Sequence, residues 1–190
     1  MKPGASAGVE LDADGVLGRA RQVPSPNFDD RPAGCAIELL VIHNISLPPA
    51  QFGGPGIVEF FTNRLDPQAH PYYREIAGMR VSSHFLIRRD GELIQFVSCS
   101  RRAWHAGASQ WKGRNRCNDF SIGVELEGTD DQPFDDAQYE TLAGLARTLR
   151  HHYPIADCAG HSDIALPPGR KTDPGSHFDW PRFRAMLDRR

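Results

Sequence analysis

Two stretches decide the fold: Ile37–Ile45, reading IELLVIHNI, and Ser121–Glu127, reading SIGVELE. The first is a nearly continuous apolar run of strand length, suited to a strand covered on both faces. The second alternates with period two. Ile122, Val124 and Leu126 point one way, and Ser121, Gly123, Glu125 and Glu127 point the other. Two such strands in one chain call for helices to cover them.

Moving outward from these strands, SLPPAQFGGPG (46–56) is a breaker-rich loop that leads to a short helix from Ile57 to about Leu65. DPQAHPYY (66–73) reads as a second loop. Val81–Arg89 reads as a strand, Asp90-Gly91 as a hairpin turn, and Glu92–Ser98 as the returning strand. Asp135 caps a helix running to about Tyr153, with Tyr139, Leu142, Leu145, Ala146 and Leu149 along one stripe. A short strand over 155–160 ends at Gly160-His161. After the long loop SDIALPPGRKTDPGS, Asp179 and Pro181 open a terminal helix. On the N-terminal side, VPSPNFDDRP (23–32) reads as an ordered extended arm or a linker. The expectation is an α/β fold, a single domain with a mixed central β-sheet flanked by helices and joined by long loops.

Composition narrows the function. The 190 residues carry a net charge of −2, which gives no overall basic field for nucleic acid or a membrane surface. No window approaches the eighteen or so apolar residues of a membrane span, and the charged, Pro-containing first thirty residues do not read as a Sec-type signal peptide. Cys35, Cys99, Cys117 and Cys158 are far apart with no CxxC pair, so four reduced thiols are expected. Eight basic residues lie between 80 and 116, with Trp104 and Trp111 interleaved, and seven acids lie between 125 and 140. With the overall charge negative, that basic block fits a small acidic peptide or sugar conjugate better than nucleic acid.

Chemistry can be sought where polar groups meet strand ends. His43 closes an apolar strand with Leu39 and Val41 on its own face. His161 follows a short strand, and Asp173 sits in RKTDPG on irregular backbone. Two His and a carboxylate from three segments form the kind of set that leaves one zinc position open for water. Spacing alone does not single them out among eight His. Glu125 and Glu127 share a strand face, and either could serve as a general base beside Gly123. Lys171, one of only three lysines, stands two residues before Asp173 and could stabilise an oxyanion. His84, beside Ser82, reads as a structural hydrogen-bonding residue. His105, in AWHAG, reads as a pocket-lining one, and His151 and His152 as helix-terminal cations.

The runs LLVIHNISLPP, FGGPG, DPQAHPYY, RVSSHFLIRRDGE, RAWHAG, RCNDFSIGVELEGTD, GHSDIA and RKTDPG closely resemble the zinc-dependent 1,6-anhydro-N-acetylmuramyl-L-alanine amidases of bacterial cell-wall recycling. That family belongs to the group containing phage lysozyme-type amidases and peptidoglycan recognition proteins. The resemblance spans about residues 23–184. It implies an amidase domain over 23–190 and a disordered N-terminal extension over 1–22. It implies one Zn²⁺ per chain on His43, His161 and Asp173, with Glu125 as the catalytic carboxylate and Lys171 as the catalytic lysine. Asn44, Arg80, Trp104 and Arg116 are the implied substrate contacts, the two arginines suiting stem-peptide carboxylates. One departure is the loop IALPPGRK, slightly longer than the family pattern. The implied reaction is hydrolysis of the amide between the muramic acid lactyl group and L-Ala, by a cytoplasmic monomer acting on an anhydro-muropeptide. A wall-lytic amidase acting on polymeric peptidoglycan and a non-catalytic muropeptide-binding module are the alternatives. The second is disfavoured because all five chemical positions are filled.

Overall fold

The computed structural model describes residues 11–188. The two decisive stretches form β3 (Leu39–Ile45) and β9 (Ser121–Glu127), a parallel pair whose register sets Val41 opposite Gly123 and His43 opposite Glu125. β10 (Asp157–Gly160) pairs parallel to β3 on its other side. β4 (Phe85–Ile87) pairs parallel to β9, and β5 (Leu93–Gln95) returns antiparallel to β4. β1 (Arg21–Gln22) closes the edge, so the six-stranded sheet runs β1-β5-β4-β9-β3-β10 and is mixed.

Alternation sorts the side chains. Leu40, Ile42, Ile122, Val124 and Leu126 face α3 (Asp136–His152) and α5 (Trp180–Leu187) across one core that includes Leu142, Leu145, Leu149 and Phe183. Each fully buried aliphatic there contributes on the order of 1.5–3 kcal/mol. Opposite, Leu39 and Val41 pack with Ala106, Phe120 and Ile164. Leu86 and Ile94 pack with α1 (Gly56–Phe61) and α2 (Pro71–Ile76). The helices therefore flank the sheet as expected. The four parallel strands β10, β3, β9 and β4 end at one edge, where open parallel sheets gather their functional groups. Among the described residues, no helix is long and apolar enough to cross a membrane.

Several elements differ from their expected extents. The strand expected over Val81–Arg89 shortens to Phe85–Ile87, because Ser82 N–H donates instead to Trp104 O, outside any ladder. The helix expected to reach Leu65 ends at Phe61. The Thr62 hydroxyl donates back to Val58 O at 2.7 Å, and Asn63 turns left-handed. The expected loop DPQAHPYY contains the start of α2. His70 Nδ1 accepts the Tyr72 N–H at 3.1 Å, and Pro71 takes the first helical position, where a missing N–H costs nothing. The segment over 23–32 is an ordered arm whose β2 (Phe28–Asp30) pairs antiparallel with β6 (Arg101–Ala103).

The expected boundary at residue 22 moves. Residues 1–10 lie outside the described residues, but the rest of that expected extension belongs to the fold. Leu11, Leu17 and Ala20 are buried in the main core. Leu17 N–H donates to Gln95 Oε1 at 2.8 Å, and Gln95 Nε2 donates back to Gly15 O at 2.9 Å. A polar composition hid three apolar anchors spaced too irregularly to show periodicity. Leu17→Ala should therefore cost about 2–5 kcal/mol of global stability in urea unfolding, as a core truncation does. A detachable extension would show no change.

Candidate metal centre and groove

Register and topology bring the candidate donors together. His43 lies in β3, and His161 opens the short helix α4 (His161–Ile164) directly after β10, whose Gly160 pairs with Ile42. Asp173 arrives on the following loop, held by Ser162 N–H donating to Asp173 O at 2.9 Å. His43 Nδ1 and His161 Nδ1 are 3.1 Å apart. Asp173 Oδ2 is 3.0 Å from the first and 3.1 Å from the second. The three are a compact candidate metal-ligand set.

Donor chemistry tests whether this set fits a cation. His161 Nε2 lies 3.1 Å from Ala106 O, which can only accept, so Nε2 carries the proton and Nδ1 presents a lone pair. His43 Nε2 is 2.9 Å from His105 Nδ1, and His105 Nε2 is 3.2 Å from Ser121 Oγ. With Nε2–H of His43 donated to His105, the second Nδ1 is also a bare lone pair. In that tautomer two nitrogen lone pairs and a carboxylate oxygen converge at 3.0–3.1 Å with no proton to share, and one divalent cation satisfies all three. Burial lowers His43 to about 4 with help from His161 and Lys171; Asp173, which would pair with a protonated ring, opposes the shift, and the imidazole stays neutral and able to ligate. Burial opposes the charge on Asp173, but the two imidazoles outweigh it and hold the carboxyl well below its usual range.

His105 lines the groove as expected, and its ring also stands directly behind His43. Its place requires Gly123, because a Cβ there would lie 2.5 Å from His105 Cγ. The signal in the sequence was a glycine among the polar-facing positions of SIGVELE. Its meaning depends on a ring brought in from eighteen residues away. His84 is a fully buried structural residue, as expected: its Nδ1 accepts Gly123 N–H at 3.0 Å and its Nε2 lies 3.1 Å from Arg101 O.

The two glutamates, equivalent by alternation, have different environments. Glu127 is neutralised: its Oε1 accepts from Arg88 Nη1 at 2.7 Å and from Gly53 N–H at 2.8 Å. Glu125 is buried beside His43, and its Oε2 has no hydrogen-bond partner among the described residues. Burial pushes its carboxyl well above the usual range, the Asp173 charge adds to this, and Lys171 opposes it.

A groove of about 350 Å³ collects His43, His161, Asp173, Glu125, Lys171 and His105. Asn44 and Trp104 also line it, and an apolar wall comes from Phe60, Phe61 and Ile76. Asn44 Nδ2 donates to Asp130 Oδ1 at 2.6 Å. Arg80 and Arg116 are not drawn into the lining. Arg80 is exposed between the groove residues Met79 and Val81, with its guanidinium on Ala77 O and Met79 O. Arg116 is exposed with a left-handed backbone, and its Nε is 3.0 Å from Asp119 Oδ2.

A raised carboxyl makes folded protein bind more protons than unfolded chain. Glu125 therefore contributes stability that is complete below its unfolded value of 4.5 and is lost as pH rises through its folded value. In chelator-stripped protein, the melting temperature of wild type should fall relative to Glu125→Gln as pH rises from 5 to 9. Parallel curves would show that Glu125 is not strained by burial.

The family model for N-acetylmuramoyl-L-alanine amidase matches residues 33–176. The 1,6-anhydro-N-acetylmuramyl-L-alanine amidase AmpD of Salmonella typhimurium strain SL1344 is 60% identical over 179 residues, 93% of this chain and 95% of its own. A crystal structure of a selenomethionine AmpD derivative superposes with a TM-score of 0.90 at 57% identity, covering 94% of this chain and 99% of that one. The E. coli amidase AmiD, in complex with the substrate anhydro-N-acetylmuramic acid-L-Ala-D-gamma-Glu-L-Lys, superposes at 0.58 with 28% identity, covering 84% of this chain and 65% of that one. The match over most of the chain's length makes this chain a member of the N-acetylmuramoyl-L-alanine amidase family.

Proposed function

We propose that this amidase hydrolyses the amide between the lactyl group of 1,6-anhydro-N-acetylmuramic acid and L-Ala of the stem peptide, with one zinc ion on His43, His161 and Asp173, in the recycling of peptidoglycan fragments in the cytoplasm. The observation that carries the reading is the meeting in one groove of a three-donor set with an unpartnered buried carboxylate, Glu125. The 1,6-anhydro-N-acetylmuramyl-L-alanine amidase activity of the 60% identical AmpD supports the anhydro-muropeptide as substrate.

Zinc held by such a set supplies Lewis acidity, lowering the pKa of water and polarising a carbonyl. The chain's own groups do the rest. Glu125 takes the proton of the attacking water as the new C–O bond forms at the lactyl carbonyl. Its raised affinity for a proton suits a base working near neutrality. The Lys171 ammonium, exposed at the groove wall, stabilises the negative charge growing on the carbonyl oxygen. Glu125 then passes the proton to the departing nitrogen of L-Ala as the C–N bond breaks. Trp104 and the apolar wall offer surface to the sugar. Arg80, flanked by groove residues, and Arg116 are planar forks available to stem-peptide carboxylates. The reaction asks for nothing from a second copy of the chain, in keeping with a monomer.

Purified protein should be given anhydro-muramyl tripeptide and intact sacculi, each with and without a zinc chelator, and the products read by mass spectrometry. Chelator-sensitive cleavage of the soluble substrate, with sacculi nearly untouched, is the expected result. Comparable attack on sacculi would replace it with a wall-lytic amidase, and no cleavage of either with a binding module. Glu125→Ala should keep its zinc and lose about 10²–10⁴-fold in kcat, the usual worth of a general base. Asp173→Ala should weaken zinc retention by more than the roughly 10–100-fold that outer-shell changes cost. Unchanged metal content in that variant would remove Asp173 from the ligand set.

A further inference from the structure

Asp130 lies on the loop after β9, outside the donor set and outside the groove lining, yet its two carboxylate oxygens are committed to two different chain segments that carry groove residues. Oδ1 accepts from Asn44 Nδ2 at 2.6 Å, next along β3 from the ligand His43. Oδ2 accepts from the Thr172 hydroxyl, and Thr172 is the residue between Lys171 and Asp173. The contact is reinforced by backbone packing. A Cβ on Gly175, at φ +81°, would lie 2.3 Å from Asp130 Cα, so only glycine lets the end of the Lys171–Asp173 loop sit this close.

The other anchors of that loop bind different segments. Ser162 N–H holds Asp173 O, and the Arg170 guanidinium holds Leu166 O, Ala106 O and Ala108 O. The Lys171 side chain is exposed, so its position depends on how its backbone is held on either side. Arg170 ties the preceding residue toward the 106–108 segment. Asp130 ties the following residue toward β3.

The same carboxylate settles the orientation of Asn44. Asp130, when ionised, can only accept, so it selects the amide nitrogen of Asn44. The Asn44 side-chain oxygen is thereby left for the groove, which Asn44 lines. The groove then offers an acceptor at this point, matched to an N–H of the substrate rather than to a carbonyl.

We infer that Asp130 is a positioning residue for the hydrolysis: through Thr172 it sets the place of Lys171, and through Asn44 it presents a hydrogen-bond acceptor to a substrate N–H. The inference rests on the amidase reading above for its kinetic consequence, but its structural content does not. Neither bridge is a metal bond, so zinc loading should survive their loss.

The experiment uses the full chain loaded with zinc and four variants: Asp130→Ala, Asp130→Asn, Thr172→Val and Thr172→Ser. Two readouts are taken: kcat and KM on anhydro-muramyl tripeptide, and amide hydrogen exchange over residues 170–175, which needs no substrate. Thr172→Val, isosteric and at an exposed position, should lower kcat about tenfold to a hundredfold with KM near wild type, since a displacement of about 1 Å at a catalytic group can cost a hundredfold. Asp130→Ala should lower kcat similarly and also raise KM, because it releases Asn44. Thr172→Ser keeps the hydroxyl and should restore kcat. The Asp130→Asn side chain keeps an acceptor for Asn44 and a donor for Thr172 Oγ1, and should recover most of both parameters. All four should hold one zinc per chain, with exchange over 170–175 faster only in Asp130→Ala and Thr172→Val. Wild-type kinetics in Asp130→Ala, or equal kinetics in Thr172→Val and Thr172→Ser, would overturn the inference. If wild type itself leaves the tripeptide uncleaved, the substrate reading fails. Unchanged exchange in Asp130→Ala and Thr172→Val would then still overturn the positioning role.

Discussion

Parallel pairing of β3 with β9 places His43 opposite Glu125, and the rest of the site is arranged around that register. A slip of one residue in either strand would turn its polar side chain, His43 or Glu125, to the helix-covered face and its aliphatic set, Leu40 and Ile42 or Ile122 and Val124, toward the groove. The apolar run and the alternating run therefore specify the same register from two sides. Burial of the aliphatic set against α3 and α5 is what fixes the polar set on the opposite face. Stability and chemistry share one pair of strands.

From that pair, the site is assembled by the parallel sheet's own geometry. β10 lies beside β3 with the same direction, so the first residue after it, His161, emerges next to His43. The loop that follows returns Asp173 to complete the triangle. Behind the triangle, Gly123 leaves out a Cβ so that the His105 ring can back His43, and Ala106 O, which can only accept, settles which nitrogen of His161 carries the proton. The polar residues of β9 thus include a hydrogen-bond anchor, a space and an unpartnered carboxylate, while Glu127 at its end is held by Arg88 and Gly53. A buried carboxylate without a partner is unfavourable for folding, and Glu125 is held in that state by a sheet too well packed to relax around it.

Much of the fold was legible beforehand because its signals are local. Strand length, period two, the Asp135 cap and the Asp90-Gly91 turn all act within a few residues, and β3, β9, α3 and the β4–β5 hairpin lie where they point. Errors fell where tertiary hydrogen bonds override local preference. Ser82 N–H pairs with Trp104 O and shortens β4, and Pro71 begins a helix inside an expected loop because His70 can cap it. The N-terminal segment was misjudged because Leu11, Leu17 and Ala20 bury singly against a sheet edge and share no periodic face of their own.

For the site, the sequence by itself determined which residue types were available at strand ends and loops, and its resemblance to a known family picked out His43, His161, Asp173, Glu125 and Lys171. Only the tertiary structure decided which of two equivalent glutamates is unpartnered, that His105 stands behind His43, and that Asp130 bridges Asn44 and Thr172. It also left Arg80 and Arg116 outside the lining. The physical reason is range. Alternation reports which face of a strand a side chain takes, but whether a carboxylate meets an arginine, a backbone N–H or nothing depends on chain segments tens of residues away. Those segments are brought there by packing of the whole domain.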